Sequence, residues 1–380
     1  MNALSTKLGP SGSYLSEDVT FAPIISSLSP VPVAEQTAAF ERGEGVVFDK
    51  ITPEPVPDDE LLRLFDAALA RNAARLAKDV LRLAAIVAEE RTGPRTVLSV
   101  IRAGVPFGVL LARTLRRAGI PARHFAVSMI REKGLDRPAM LRILDGIDPD
   151  SILWVDGWTG KGATADALRR HAERFGRDEG VKLPLGLRTL QDLAGAAETS
   201  ASDEDRLIPS AMLNAPASGL SSRSVANADG DETHRIAFFP ELLGIDRSRR
   251  FVELIDAAAI EIDPSTKLTG LPRRTQLSRE ERRRRMTEIV LDVSERFDAE
   301  DLDRIKPGIN EASRALALGR AESLLLRNPE DPDVAHLLLE AQRRAVAVIE
   351  NRKMPLSAIA VSPRLKAVDA SHRKEKGKRA

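Results

Sequence analysis

A single carboxylate, Asp156, closes an apolar run, and the residues after it, Gly157-Trp-Thr-Gly-Lys-Gly-Ala-Thr164, are mostly glycine and threonine. That combination suits a phosphorylated sugar. Backbone amides and a helix N-terminus can hold phosphate, while the carboxylate accepts hydrogen bonds from ribose hydroxyls. Two other turns have similar character. Arg102-Ala103-Gly104 joins a guanidinium suited to bidentate anion contact with a glycine that lets the backbone approach closely. Arg131-Glu132-Lys133-Gly134 opens a polar stretch through Asp136 and Pro138 that reads as a mobile lid. The same turns would equally serve a Rossmann-like sheet whose glycines merely reverse the chain. A Walker A loop is excluded, because Val155 stands where its first glycine belongs and Gly162 where its Ser/Thr belongs. Trp154 reads as a packing residue, and Trp158 either packs or stacks on a ligand.

A second chemistry-bearing segment lies near the C-terminus, Lys306-Pro-Gly-Ile-Asn-Glu-Ala-Ser-Arg314. Asn310 would make a good helix N-cap there, and Glu311 suits the positive end of a helix. The chain holds no cysteine, so disulfides, thiolate metal sites and a thiol nucleophile are all excluded.

The elements that must position these residues alternate in type. Residues 1–57 read as an extended arm with short elements near 14–25 and 45–48. Asp58 or Asp59 can cap an amphipathic helix to about residue 90, with Leu61, Leu62, Phe65, Leu69, Leu76, Val80 and Leu83 on its apolar face. Strands are expected at 96–101, 122–130, 152–156 and 183–187, with helices at 106–117 and 164–175. This order argues a mostly parallel sheet covered on both faces, and the three anion-friendly turns would share its carboxyl edge. Residues 195–235 read as a polar loop or hood. A capping box at Ser278 and Glu281 starts a charged helix to about 297, whose run Arg282–Arg285 reads as a solvated face. Beyond it, helices at 310–318 and 333–344 alternate with strands at 323–326 and 346–349, and a basic tail follows.

Aromatics make up 4% of the 380 residues, so the cores must be built from Leu, Ile, Val and Ala. A formal net charge of +1 offers no argument for nucleic-acid binding from the total. No stretch is apolar enough to span a bilayer and no signal-peptide pattern opens the chain, so a cytoplasmic location is expected.

Residues 152–164 resemble the phosphoribosyl-pyrophosphate (PRPP) motif of type I phosphoribosyltransferases, with Asp156 on its first acid, Gly162 on its glycine and Thr164 on its closing threonine. Gly157 replaces the second acid and Lys161 the threonine before the glycine. Ser13-Tyr-Leu-Ser-Glu-Asp-Val-Thr-Phe21, Val100-Ile-Arg-Ala-Gly-Val-Pro106, Val155-Asp-Gly-Trp-Thr-Gly-Lys-Gly162 and Ile208-Pro-Ser-Ala-Met-Leu-Asn214 are similar to a StiP-type subfamily linked to tellurite-resistance and stress gene clusters. Some of its members are labelled cysteine proteases. The segment 306–314 resembles the Gly-x-Asn-Glu-x-Thr-Lys signature of kink-turn RNA-binding ribosomal proteins and of Pelota-type domains. Gly308, Asn310, Glu311 and Arg314 fall on its positions, Ser313 replaces Thr, and Asn and Glu would read exposed base edges.

These resemblances imply an α/β fold of the type I phosphoribosyltransferase kind over 58–265, a helical linker over 266–302, a small α-β-α RNA-binding unit over 303–366 and a tail over 367–380. They imply transfer of ribose 5-phosphate from PRPP to a base-like acceptor with release of pyrophosphate. The alternative is a non-catalytic PRPP- or nucleotide-sensing RNA-binding regulator. The expected site comprises Asp156, Arg102, Arg131 and Lys133 for chemistry. Ala103, Gly104, Gly157, Thr159, Gly160, Lys161, Gly162, Ala163 and Thr164 would bind PRPP, and Lys306, Gly308, Asn310, Glu311 and Arg314 would bind RNA. Mg²⁺ is the expected cofactor, held by substrate oxygens and water, with Asp156 a ligand only through water. Structured RNA and a second copy of the chain are compatible partners; DNA and membranes are not expected.

Overall fold

The computed structural model describes residues 10–32, 51–226, 233–265, 267–268 and 276–363. The element expected near 45–48 and the basic tail fall outside these. The central feature is a six-stranded, wholly parallel sheet in the order β1-β4-β3-β7-β8-β9. Its strands are β1 (Thr20–Phe21), β3 (Arg95–Val100), β4 (Ala122–Val127), β7 (Ile152–Thr159), β8 (Leu187–Asp192) and β9 (Thr199–Ser202). Every residue of β3 and β7 is buried, as expected for strands covered on both faces. A two-residue strand, β2 (Ile24–Ile25), pairs apart from this sheet with β10 (Arg235–Ile236).

One face is covered by α1 (Asp59–Glu90), α2 (Val105–Arg117) and α5 (Ser248–Ile262). Asp58 caps α1 by accepting the Leu61 N–H at 2.9 Å. Phe65, Leu69, Leu76 and Leu83 of its stripe are at most 1% exposed. Phe251 of α5 stacks edge-on against Phe107 of α2, so the few aromatics gather where the three helices meet. The other face carries α4 (Ala163–Glu179), whose Leu168, Ala172 and Phe175 pack into a second core with Trp154.

Several segments depart from the sequence reading. The fourth strand begins at Leu187, where 183–187 was expected, because its core positions are polar and do not register as apolar. Arg188, Thr189, Gln191 and Asp192 are all buried. Arg188 pairs with Glu90 at 2.7 Å, and Asp192 accepts the amides of Ala194, Ala196 and Ala197. Over its described residues, the hood expected at 195–235 is packed instead. It holds β9 and two short 3-10 turns, Pro209–Met212 and Ala215–Ala217, with Ala215, Ala217, Leu220 and Ser221 fully buried. The expected lid is a hairpin of β5 (Met129–Ile130) and β6 (Gly134–Leu135) followed by α3 (Arg137–Leu144). Asp136 caps α3, and Met140 and Ile143 anchor it.

The charged helix, α6 (Arg279–Arg296), has both halves of its capping box. Its basic run is not wholly a solvated face. Arg282 is 6% exposed and donates to the Asp192 carbonyl and to Ser200, tying α6 to the main sheet. The C-terminal unit is a four-stranded sheet, β11-β14-β12-β13, with α7 (Ile309–Ala317) and α8 (Ala335–Arg343). Its strands are β11 (Ile305–Pro307), β12 (Ser323–Leu326), β13 (Ala347–Glu350) and β14 (Ala358–Val361). β14 escaped the sequence reading because only four apolar residues follow a polar, proline-bearing stretch, yet it lies between β11 and β12.

Candidate functional site

The carboxyl ends of β3 and β7 meet at one place. Gly104 makes that approach feasible, since a Cβ there would sit 2.6 Å from the Val155 carbonyl oxygen. Arg102 projects from this turn, and its Nη1 donates to Glu54 at 2.8 Å and to the Ser221 carbonyl at 3.2 Å. Asp156 is 8% exposed and accepts the Gly157 N–H at 2.8 Å. Burial pushes its carboxyl up to about 7, against the opposing pull of that amide and of Arg314.

Gly157 is explained by packing. A Cβ at this position would lie 2.5 Å from the Phe107 ring, so no second acid fits beside Asp156. Gly162 turns the chain into α4 with φ +91, and a Cβ there would lie 2.6 Å from that of Ala196. Thr159 and Gly160 are buried, while Ala163 and Thr164 are half-buried at the start of α4.

The C-terminal unit sits on this loop. At Gly160 a Cβ would meet the Glu311 side chain at 2.8 Å and the Pro307 carbonyl at 2.9 Å. Trp158 donates its indole N–H to Glu311 at 3.0 Å, and Lys161 reaches the Leu302 carbonyl and Asp303. Burial and nearby Lys306 hold the Lys161 ammonium below its usual range. Asn310 is 1% exposed. It accepts the Ile208 N–H at 2.8 Å and donates to Gln191 at 2.7 Å and to the Arg206 carbonyl at 3.2 Å. Asn310 is therefore not the cap of its helix. Asp205 serves that end instead, accepting the Ile309 N–H at 2.9 Å and the Ser357 N–H at 2.7 Å from across the interface. Gly308, at φ +91, is buried against Leu193 and Asp205.

Between the two units lies a small cleft of about 30 Å³, lined by Arg102, Ala103, Trp158, Ser210, Asn214 and Arg314 among others. The Ser210 hydroxyl is buried and has no hydrogen-bond partner among the described residues. Arg223, near Arg102 and Arg320, is held below its usual range by burial and then by those two charges. Arg131 and Lys133 do not line the cleft. Arg131 is exposed with its carbonyl 2.8 Å from His171 Nε2, and Lys133 stands beside His234. Arg314, expected at an RNA surface, does line it. Gln191 and Asp205 had no signal in the sequence, whereas Ser210 and Asn214 fall inside the segment 208–214 that carried part of the resemblance.

Residues 12–256 match the family described as tellurite-like stress resistance cysteine protease StiP, and residues 284–362 match the PELOTA RNA binding domain. The protein called cysteine protease StiP from Acinetobacter baylyi (strain ATCC 33305 / BD413 / ADP1) is 32% identical over 375 residues, which is 95% of this chain and 96% of the relative. This chain belongs to the StiP family. Among solved structures, similarity to the Vibrio vulnificus NanR protein complexed with ManNAc-6P covers 62% of this chain and 69% of that one at 12% identity; at a TM-score of 0.24 it carries no argument.

The family's name corrects the expected activity. Family and relative are both named for a cysteine protease, a different enzyme class from the phosphoribosyltransferase implied by the loop resemblance. The transferase reading, with its PRPP chemistry, is overturned by that finding. This StiP-family chain has no cysteine with which to do thiol chemistry itself.

Among the described residues, none of the three serine–histidine pairs is placed to substitute. Ser99 lies 2.8 Å from His124, Ser128 lies 2.6 Å from His234, and Ser313 lies 2.6 Å from His336. Each serine is at most 3% exposed, so no scissile carbonyl could reach it. Burial holds these histidines low, at about 4, 4 and 3 respectively. Among the described residues no group of three or more His, Cys, Asp or Glu could hold a metal ion, and no helix is long and apolar enough to cross a membrane.

Proposed function

We propose that this StiP-family member holds a small phosphate-bearing ligand in the cleft between the main sheet and the C-terminal unit, and that the C-terminal unit binds structured RNA. The proposed sheet is of the type I phosphoribosyltransferase kind in fold alone, and no group transfer is assigned to it. The carrying observation is the cleft wall itself. Arg102 and Arg314 supply charge suited to phosphate oxygens, and the unpartnered Ser210 hydroxyl is left to be satisfied there.

The residues present do not fit a resident Mg²⁺ site. Asp156 is the lone carboxylate at the strand end, and burial favours its protonated form. In this proposal Mg²⁺ would arrive on the ligand's own phosphate oxygens. The RNA reading rests on the match over 284–362 and on the Gly308, Asn310, Glu311 and Arg314 pattern.

Titration of the full chain with inorganic phosphate, AMP and ADP, read by tryptophan fluorescence, tests the ligand proposal. Saturable binding to at least one probe, weakened at least tenfold by Arg102→Ala, is expected. Absence of binding to all three, or binding indifferent to Arg102→Ala, overturns it.

A further inference from the structure

The residues expected to read RNA are not free to do so. Asn310 is sealed against Gln191, Ile208 and Arg206, and Glu311 accepts the Trp158 indole. Pro307 and Glu311 press on Gly160 so closely that no Cβ fits there. The helix that carries the RNA pattern therefore faces the main unit, and through Arg314 it also borders the cleft. From the same helix Arg314, one turn beyond Glu311, lines the cleft together with Arg102.

A second feature of the cleft points to a ligand. The Ser210 hydroxyl, on the cleft wall, is buried without a partner. A hydroxyl in that state is ordinarily satisfied by an ordered water or another bound small group. It sits in the 3-10 turn Pro209–Met212, directly after Ile208, whose amide Asn310 accepts. The segment that would touch the ligand and the segment that holds Asn310 are thus continuous.

We infer that Arg314 is a ligand-binding residue of the cleft, contributed by the C-terminal unit, and that the small ligand and RNA compete for one face of α7. This inference rests on the cleft being a phosphate-ligand site. A bound anion bridges Arg102 and Arg314 and holds the units together; RNA needs Asn310 and Glu311, and reaching them requires the units to part. Binding energy that closes one state opposes the other by the same factor.

The docking combines an apolar seam, in which Ile309, Leu316 and Leu337 share one core with Leu76 and Ile208, with polar contacts. Asp205 caps α7 across the interface, Arg343 pairs with Asp58 and Glu60, and Arg71 pairs with Asp333. The ion pairs lie on exposed side chains and hold weakly. Gln191 and Trp158, both on the main-sheet side, contact the RNA pattern directly. Changing them alters the docking and leaves every residue of the C-terminal unit intact.

The test uses the full chain, a fluorescent RNA carrying an internal kinked loop, and AMP or inorganic phosphate as probe, with chloride matching ionic strength. The expected results are threefold. The double variant Gln191→Ala with Trp158→Phe binds the RNA about tenfold tighter than the unaltered chain, and the probe weakens RNA binding to the unaltered chain but not to Arg314→Ala. Arg314→Ala also weakens probe binding in the absence of RNA, a readout that a role confined to RNA would not move. Equal RNA affinity in the unaltered chain and the double variant overturns the competition, as does absence of RNA binding to both. Probe binding unchanged by Arg314→Ala overturns the assignment of Arg314. Loss of probe binding to the unaltered chain falls instead on the ligand reading, and the double variant still decides whether the docked face hides the RNA pattern.

Discussion

Asn310→Ala separates a capping residue from an interface residue. The side chain makes three hydrogen bonds, at 2.7, 2.8 and 3.2 Å, all across the junction between the two units. Removing it strands the Ile208 N–H and the Gln191 side-chain oxygen in a buried place. Leaving a buried donor or acceptor unmade costs about 1–3 kcal/mol each, so the two together give about 2–4 kcal/mol after some relaxation. A helix N-cap alone would cost about 1 kcal/mol. The assay is amide hydrogen exchange at Ile208 alongside denaturant unfolding read by tryptophan fluorescence. Exchange at Ile208 should accelerate by tenfold or more, since about 1.4 kcal/mol is a factor of ten. A loss of about 1 kcal/mol or less, with Ile208 exchange unchanged, would refute the reasoning and return Asn310 to a local cap.

Three other outcomes follow from the geometry. Gly157→Ala drives a methyl into the Phe107 ring and should destabilise the chain by about 1–3 kcal/mol, as overpacking does, with thermal unfolding as the measure; a neutral result would mean the ring has room to move. Asp156→Asn should flatten the pH dependence of stability. Its folded carboxyl lies at about 7 against 3.8 for the free group, so its stabilising contribution is complete below about pH 4 and is lost as pH rises through 7. The unaltered chain should therefore lose thermal stability relative to Asp156→Asn between those limits; a constant difference across pH 4 to 8 would contradict the burial argument. Ser99→Ala, Ser128→Ala and Ser313→Ala should leave any small-ligand binding unaltered, because none of the three hydroxyls reaches the cleft; a binding titration checks this.

What the sequence revealed follows the strength of its local signals. The long amphipathic helix after Asp58, the buried runs of β3 and β7 and the Ser278 capping box all rest on patterns repeated within one element. β8 did not, because Arg188, Gln191 and Asp192 are buried by partners that lie far along the chain. Asp156, Arg102 and the Gly104 turn could be read at the strand ends. Docking of the C-terminal unit could not, since it depends on Asp205, Gln191 and Trp158 meeting a helix more than 100 residues away. Tertiary contact also decides the fate of the Gly157 position: the glycine is visible in the sequence, but the Phe107 ring that demands it is not. The three buried Ser–His pairs are likewise products of the fold, joining residues with no shared motif.

The proposed phosphate-bearing ligand would lie between the two units, in the cleft at the sheet's carboxyl edge. A crystal structure of the full chain soaked with ADP tests it most directly. Phosphate density is expected within hydrogen-bond reach of Arg102, Arg314 and the Ser210 hydroxyl. Density confined to the separate cleft beside Ile289, Lys353 and Met354, or no density against Arg102 at all, would contradict it.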